Sequence, residues 1–127
     1  MYFTIKELTH SDTAIKKKID NTPSKEIINN MNELIAFLDP IREAWGKPIY
    51  INSGYRCPAL NKAVGGVKNS SHLIGYAVDI KPQPGLKEFL VSYLKGKKFD
   101  QCIDEGNWIH FGLKRSDGAQ RCQIFKA

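Results

Sequence analysis

Three histidines in 127 residues, His10, His72 and His110, are few enough to be weighed one by one as ligands of a transition metal. His72 opens the stretch HLIGYAVD, which closes seven residues later on Asp79, and His110 lies within WIHFGL, residues 108 to 113. Two imidazoles and one carboxylate are a donor set that zinc accepts, and a catalytic zinc keeps three protein ligands with a fourth position open to water. Asp79 needs a partner on its own account. Flanked by Val78 and Ile80 in an apolar run, its carboxylate would be costly to bury unpaired, and a nearby cation removes that cost. Gly75 is the residue that lets the chain turn sharply between His72 and Asp79. Strand alternation sets Trp108, His110 and Gly112 on one face and Ile109, Phe111 and Leu113 on the other, so His110 points away from the more apolar side. His10, in a polar lead-in, reads as an exposed residue. Taken singly, each of these residues is more often structural than a ligand.

The surrounding segments change that weighting. SGYRCPALN (53 to 61), GGVKNSSHLIGYAVDI (65 to 80) and FDQCIDEGNWIHFGL (99 to 113) resemble the zinc D-alanyl-D-alanine carboxypeptidases and the related L-alanyl-D-glutamate endopeptidases, peptidoglycan peptidases of hedgehog-like fold. The pattern of Ser, His, Gly, Ala and Asp that marks this group is met by Ser70, His72, Gly75, Ala77 and Asp79, and the resemblance runs over roughly residues 20 to 115. It implies zinc held by His72, Asp79 and His110, with water in the fourth position. It also implies that Arg56 reaches the substrate, as a bidentate donor to a terminal carboxylate or to the carbonyl oxygen that turns negative during attack. Ser70 would assist substrate binding. The competing reading of Arg56 is a surface salt bridge.

Peptide hydrolysis at a metal also needs a carboxylate that takes a proton from water and passes it to the leaving amine. The resembling peptidases often carry a glutamate three residues before the last histidine ligand, where this chain has Asn107. The acids at hand are Asp104 and Glu105. If Gly106-Asn107 is a two-residue hairpin turn, Glu105 lies opposite Trp108, on the face of His110 and roughly 7 to 8 Å diagonally from it. If Glu-Gly-Asn is a three-residue loop, Asp104 and Cys102 take that face instead. The shorter turn and the resemblance both favour Glu105, with Asp104 as the alternative.

These residues need a scaffold. Thr22-Pro23 reads as a cap and first turn, followed by a stripe of Ile27, Met31, Leu34, Leu38, Ile41 and Trp45 with a kink or two abutting helices expected at Pro40. KPIYINSGYR suggests a short strand ending at Ser53-Gly54, and residues 57 to 71 a long loop of functional importance. YAVDI reads as a strand, LKEFLVSYLKG as a helix with Leu86, Phe89, Leu90, Tyr93 and Leu94 inward, and FDQCID with WIHFGL as a hairpin. RCQIFK offers one more edge strand. The expectation is a single α+β domain over residues 1 to 127, an antiparallel sheet with helices packed on one side.

Bulk properties narrow the function classes. The longest apolar runs fall far short of the roughly 20 residues of a membrane-spanning helix. Lys and Arg outnumber Asp and Glu by 19 to 13, a dispersed +6 that suits an anionic partner such as an acidic wall polymer but carries no aromatic-basic motif for nucleic acid. Cys57, Cys102 and Cys122 form no CxxC pair and leave one unpaired, as in a reducing compartment. The N-terminus does not read as a secretory signal. What the resemblance implies, with these properties beside it, is a monomeric zinc peptidase acting on peptidoglycan peptides, made in the cytoplasm and reaching the wall in the manner of a phage endolysin released through a holin pore, or equally a prophage or tail component. Two other classes are a non-catalytic wall-peptide binding module of the same fold and a cysteine hydrolase pairing Cys102 or Cys57 with a histidine.

Overall fold

The computed structural model describes residues 2 to 127. Two short helices, α1 (Ile5–Thr9) and α2 (Asp12–Lys17), lead into the long helix α3 (Lys25–Trp45). Then follow strand β1 (Ile51–Ser53), helix α4 (Pro58–Ala63), a 3-10 turn (Ser71–Ile74), β2 (Ala77–Ile80), α5 (Leu86–Tyr93), β3 (Gln101–Asp104), β4 (Ile109–Gly112) and β5 (Gln123–Lys126). The strands form one sheet in the order β1-β2-β4-β3-β5, giving an α+β architecture.

The two faces of the sheet have different work. Val78, Ile80, Ile109, Phe111 and Cys102 are buried in the main core together with Met31, Leu34, Leu38 and Ile41 of α3 and Leu86 and Leu90 of α5. Phe37 of α3 stacks on Phe111 with ring centres 5.5 Å apart. Register fixes what remains. Asp79 pairs with His110, His110 with Ile103, and Ser53 with Asp79, so these residues share the opposite face.

Several sequence expectations need correction. Helix α3 begins at Lys25, two residues past Pro23, because Asp20 draws the Thr22 amide and hydroxyl into a local turn and the Ser24 hydroxyl caps the helix by accepting from the Ile27 amide. Pro40 does not divide the helix. It and Ala36, the residue one turn back, are both exposed, so the carbonyl it leaves unbonded can turn to water. The expected loop 57 to 71 contains α4, started by Pro58 and capped by the Cys57 sulfur accepting from the Leu60 amide. The sheet is not antiparallel throughout, since β5 runs parallel to β3.

The lead-in is also more than a polar preface. Phe3 and Leu8 are core residues, and the Leu8 carbonyl accepts from the Tyr55 amide at 2.7 Å. A Cβ on Gly54 would come within 2.2 Å of the Leu8 carbonyl oxygen, so only glycine allows α1 to lie against the end of β1. At the other terminus, Arg121 donates from Nε and Nη2 to the two oxygens of buried Asp100 at 2.7 and 2.8 Å, fastening the segment that enters β5.

Two outcomes are expected. Gly54→Ala lowers stability by about 2 kcal/mol, the scale of an overpacked core site, as read in thermal or denaturant unfolding. Burial pushes the Asp100 carboxyl up, but its hydrogen bonds from Arg121 outweigh this and hold it below the usual carboxylate range. A depressed folded-state pKa gives stability that is present above the unfolded value, about 3.9, and lost as pH falls through the folded value. The melting temperature should therefore fall more steeply below about pH 4 in the wild type than in Asp100→Asn.

Candidate metal centre

His72 enters the site from the 3-10 turn, whose first residues are capped by the Ser70 hydroxyl accepting from the His72 amide at 3.1 Å. The turn ends at Gly75, in the left-handed region at φ +81, and a Cβ there would also press on Ile27 and Met31 at 3.0 Å. Glycine thus serves both the reversal toward β2 and the packing on α3. Asp79 and His110 are cross-strand partners on β2 and β4.

Two imidazole nitrogens converge on one carboxylate oxygen. His72 Nε2 and His110 Nδ1 each lie 3.2 Å from Asp79 Oδ1. One donor atom from each of the three residues can be chosen so that all lie within 4.8 Å of one another. Tetrahedral zinc with bonds of about 2.0 to 2.1 Å sets neighbouring ligand atoms about 3.4 Å apart, so the spacing fits such an ion.

The tautomer of His72 supplies a second test of fit. Its Nδ1 is 2.7 Å from the Gly54 carbonyl oxygen, which can only accept, so Nδ1 carries the proton and donates it there. In neutral imidazole Nε2 is then a lone pair. Burial favours that neutral form, lowering the His72 pKa against the opposing pull of Asp79. Burial raises the Asp79 carboxyl, but its contacts with His110 and His72 prevail and hold it ionised, well below the ordinary range. Lone pairs of nitrogen and oxygen therefore face each other, an arrangement that a cation shared between them stabilises. The Gly54 carbonyl fixes the ring from behind, as partners of metal-bound histidines do.

The cleft around these donors measures about 440 Å³ and is lined by Arg56, Val64 to Val67, Ser70, His72, Asp79, Gln101, Ile103, Glu105, Trp108 and His110. Arg56 makes no ion pair with a carboxylate among the described residues, contrary to a surface salt bridge. It is partly buried, its Nη2 reaches the Ser70 hydroxyl only at 3.5 Å, and its Nε is buried without a partner. Burial pulls its pKa down while Asp79 pulls it up. Guanidinium donors are thus left over on the cleft side.

The hairpin has the two-residue turn. The Glu105 amide donates to the Trp108 carbonyl at 3.0 Å, leaving Gly106 and Asn107 as the turn. Glu105 lines the cleft with His110, whereas Asp104 is on the other face, accepting from Lys87 Nζ at 2.9 Å. Cys102 lies opposite Phe111 rather than beside His110, and burial pushes its thiol up to about 11, so it is an inert core side chain. Cys57 is engaged as a helix cap. His10 is exposed and meets Asp12.

The described chain from Tyr2 to Gly112 lies within the span 1 to 112 that matches the family Peptidase M15. The chain belongs to the Peptidase M15 family. A 44-residue stretch is 46% identical to the zinc D-Ala-D-Ala carboxypeptidase of Streptomyces albus G, covering 34% of this chain and 17% of that protein. The M15 chain thus spans a small part of that curated relative.

His72→Ala and His110→Ala should each abolish stoichiometric zinc uptake, measured by equilibrium dialysis with metal analysis. Glu105→Gln should bind one zinc per chain like the wild type.

Proposed function

We propose that the protein is a zinc peptidase that hydrolyses a peptide bond in the stem peptides of peptidoglycan, of the D-Ala-D-Ala carboxypeptidase or the L-Ala-D-Glu endopeptidase type. The observation that carries this reading is the convergence of His72, Asp79 and His110 in a cleft that also holds an acid, Glu105, and an unpaired guanidinium, Arg56. Membership of the M15 family and the likeness to a zinc D-Ala-D-Ala carboxypeptidase support it.

His72 Nε2, the Asp79 carboxylate and His110 Nδ1 are the donors that would hold the ion. Zinc supplies Lewis acidity when bound, acidifying water and polarising a peptide carbonyl. The Glu105 carboxylate takes a proton from the attacking water and delivers it to the amine nitrogen of the leaving half. A glutamine there could do neither. The Arg56 guanidinium holds an oxygen of the substrate, a carboxylate or the carbonyl oxygen as its charge grows, and the Ser70 hydroxyl steadies that guanidinium. Val64, Val67 and Trp108 add exposed apolar side chains to the lining of the cleft.

Incubation of the zinc-loaded protein with purified peptidoglycan should release free D-alanine or new amino termini, identified by mass spectrometry of the muropeptides. A chelator should stop the release and added zinc restore it. Glu105→Gln should lower kcat by at least about a hundredfold while keeping zinc, the scale of a lost general base. Absence of any cleavage by the wild type would count against the peptidase reading and favour a wall-peptide binding module.

A further inference from the structure

The cleft does not end at His110. It continues into a second lobe of about 280 Å³ between Asn69 and Ser71 on one side and Arg115 and Arg121 on the other, with Val67, Ser70, Gln101 and His110 shared between the two lobes. Arg115 and Arg121 lie beyond residue 112, outside the stretch that matches the M15 family, and they reach the site because β5 runs alongside β3. Position alone does not make the lobe a binding site. The state of its two guanidinium groups does.

Arg121 is oriented before any ligand arrives. Its Nε and Nη2 each donate one hydrogen to Asp100, whose carboxylate is buried beneath it, so the planar group is fixed in direction. A guanidinium has five N–H donors, and two are used here, leaving three. The rotamer entropy that a free arginine would lose on binding is already spent in folding. Arg115 is the more loosely paired counterpart. Its carboxylate contact is Asp117 at 3.4 Å, with both side chains about half exposed, a contact of little energy that a better-placed acceptor displaces. The charge of Arg121 is largely matched by Asp100, so Arg115 provides most of the attraction and Arg121 most of the directional bonding. Gln101, one turn of the strand pleat from Ile103, adds a neutral amide whose Nε2 is engaged with Gln123.

We propose that this second lobe is a carboxylate subsite of the peptidase, separate from the group held at Arg56, which takes an ionised carboxylate of the peptide lying beyond the metal donors. The assignment rests on the peptidase reading above. Two carboxylates of a wall peptide share this chemistry, the one at the chain terminus and one on a side chain. A planar two-oxygen acceptor fits the donor pair, and a neutral amide in its place could accept only through one oxygen.

The test compares one stem peptide in three forms: free, amidated at its C-terminus, and amidated at its side-chain carboxylates. Steady-state kinetics on the zinc-loaded wild type should show KM about tenfold higher for one of the two amidated forms, and that form names the carboxylate. Arg115→Gln should raise KM for the free peptide to the level of that amidated form, closing the gap between them. Arg121→Lys, which keeps a cation beside Asp100, should close the gap in part. Titration calorimetry of the same peptides onto zinc-loaded Glu105→Gln, with and without Arg115→Gln, reads the lobe without turnover. A gap in affinity between free and amidated peptides that Arg115→Gln abolishes supports the subsite even if the wild type cleaves nothing. Equal affinities for all three peptides, or a gap that survives Arg115→Gln, would overturn it.

Discussion

Everything at this site turns on one carboxylate placed in an apolar strand. Asp79 sits between Val78 and Ile80, which are buried on the far face, and the sheet cannot move it to water without losing them. An ionised oxygen so placed must be met by positive charge, and the two imidazoles that converge on it, one across the β2–β4 ladder and one from the 3-10 turn, place their nitrogens where a shared cation would sit. The core face of the sheet therefore dictates the register, and the register dictates where the donors meet. Packing and chemistry are set by the same alternation.

Register also divides the acids of the hairpin. A two-residue turn and a three-residue turn differ by one residue in pairing, and that single step exchanges the faces of Glu105 and Asp104. The amide of Glu105 bonded to the carbonyl of Trp108 selects the first arrangement, and the pairing of Asp104 with Lys87 completes the division. The same parity sends Cys102 into the core against Phe111 and removes it from any role beside His110.

Short-range rules were enough for much of this. The stripe of Met31, Leu34, Leu38 and Ile41, the bend at Gly75 and the alternation in WIHFGL are all local patterns, and the residues that line the cleft on β3 and β4 follow from them by parity. What could not be read depends on uncommon local acceptors in two places and on contacts between distant segments in the others. Helix α4 was hidden because its cap is a cysteine sulfur, an uncommon acceptor in a run of turn-forming residues. The start of α3 moved because Asp20 competes for Thr22. The burial of Phe3 and Leu8 needs α1 to find the end of β1, and the presence of Arg115 and Arg121 at the cleft needs the edge strand legible in RCQIFK to run parallel to β3, a direction that no local pattern announces.

The contact at Gly54 joins two of these findings. Its α-carbon lies under the carbonyl of Leu8, while its own carbonyl accepts the proton of His72. Whatever occupies the centre of the cleft is therefore coupled to the docking of the first helix, more than sixty residues before His72 in the chain, through the single peptide unit between Gly54 and Tyr55. An ion that prefers the oriented imidazole prefers the docked helix by the same free energy, and undocking must weaken the ion's hold in equal measure. The amino-terminal segment is in that sense a remote lever on the metal.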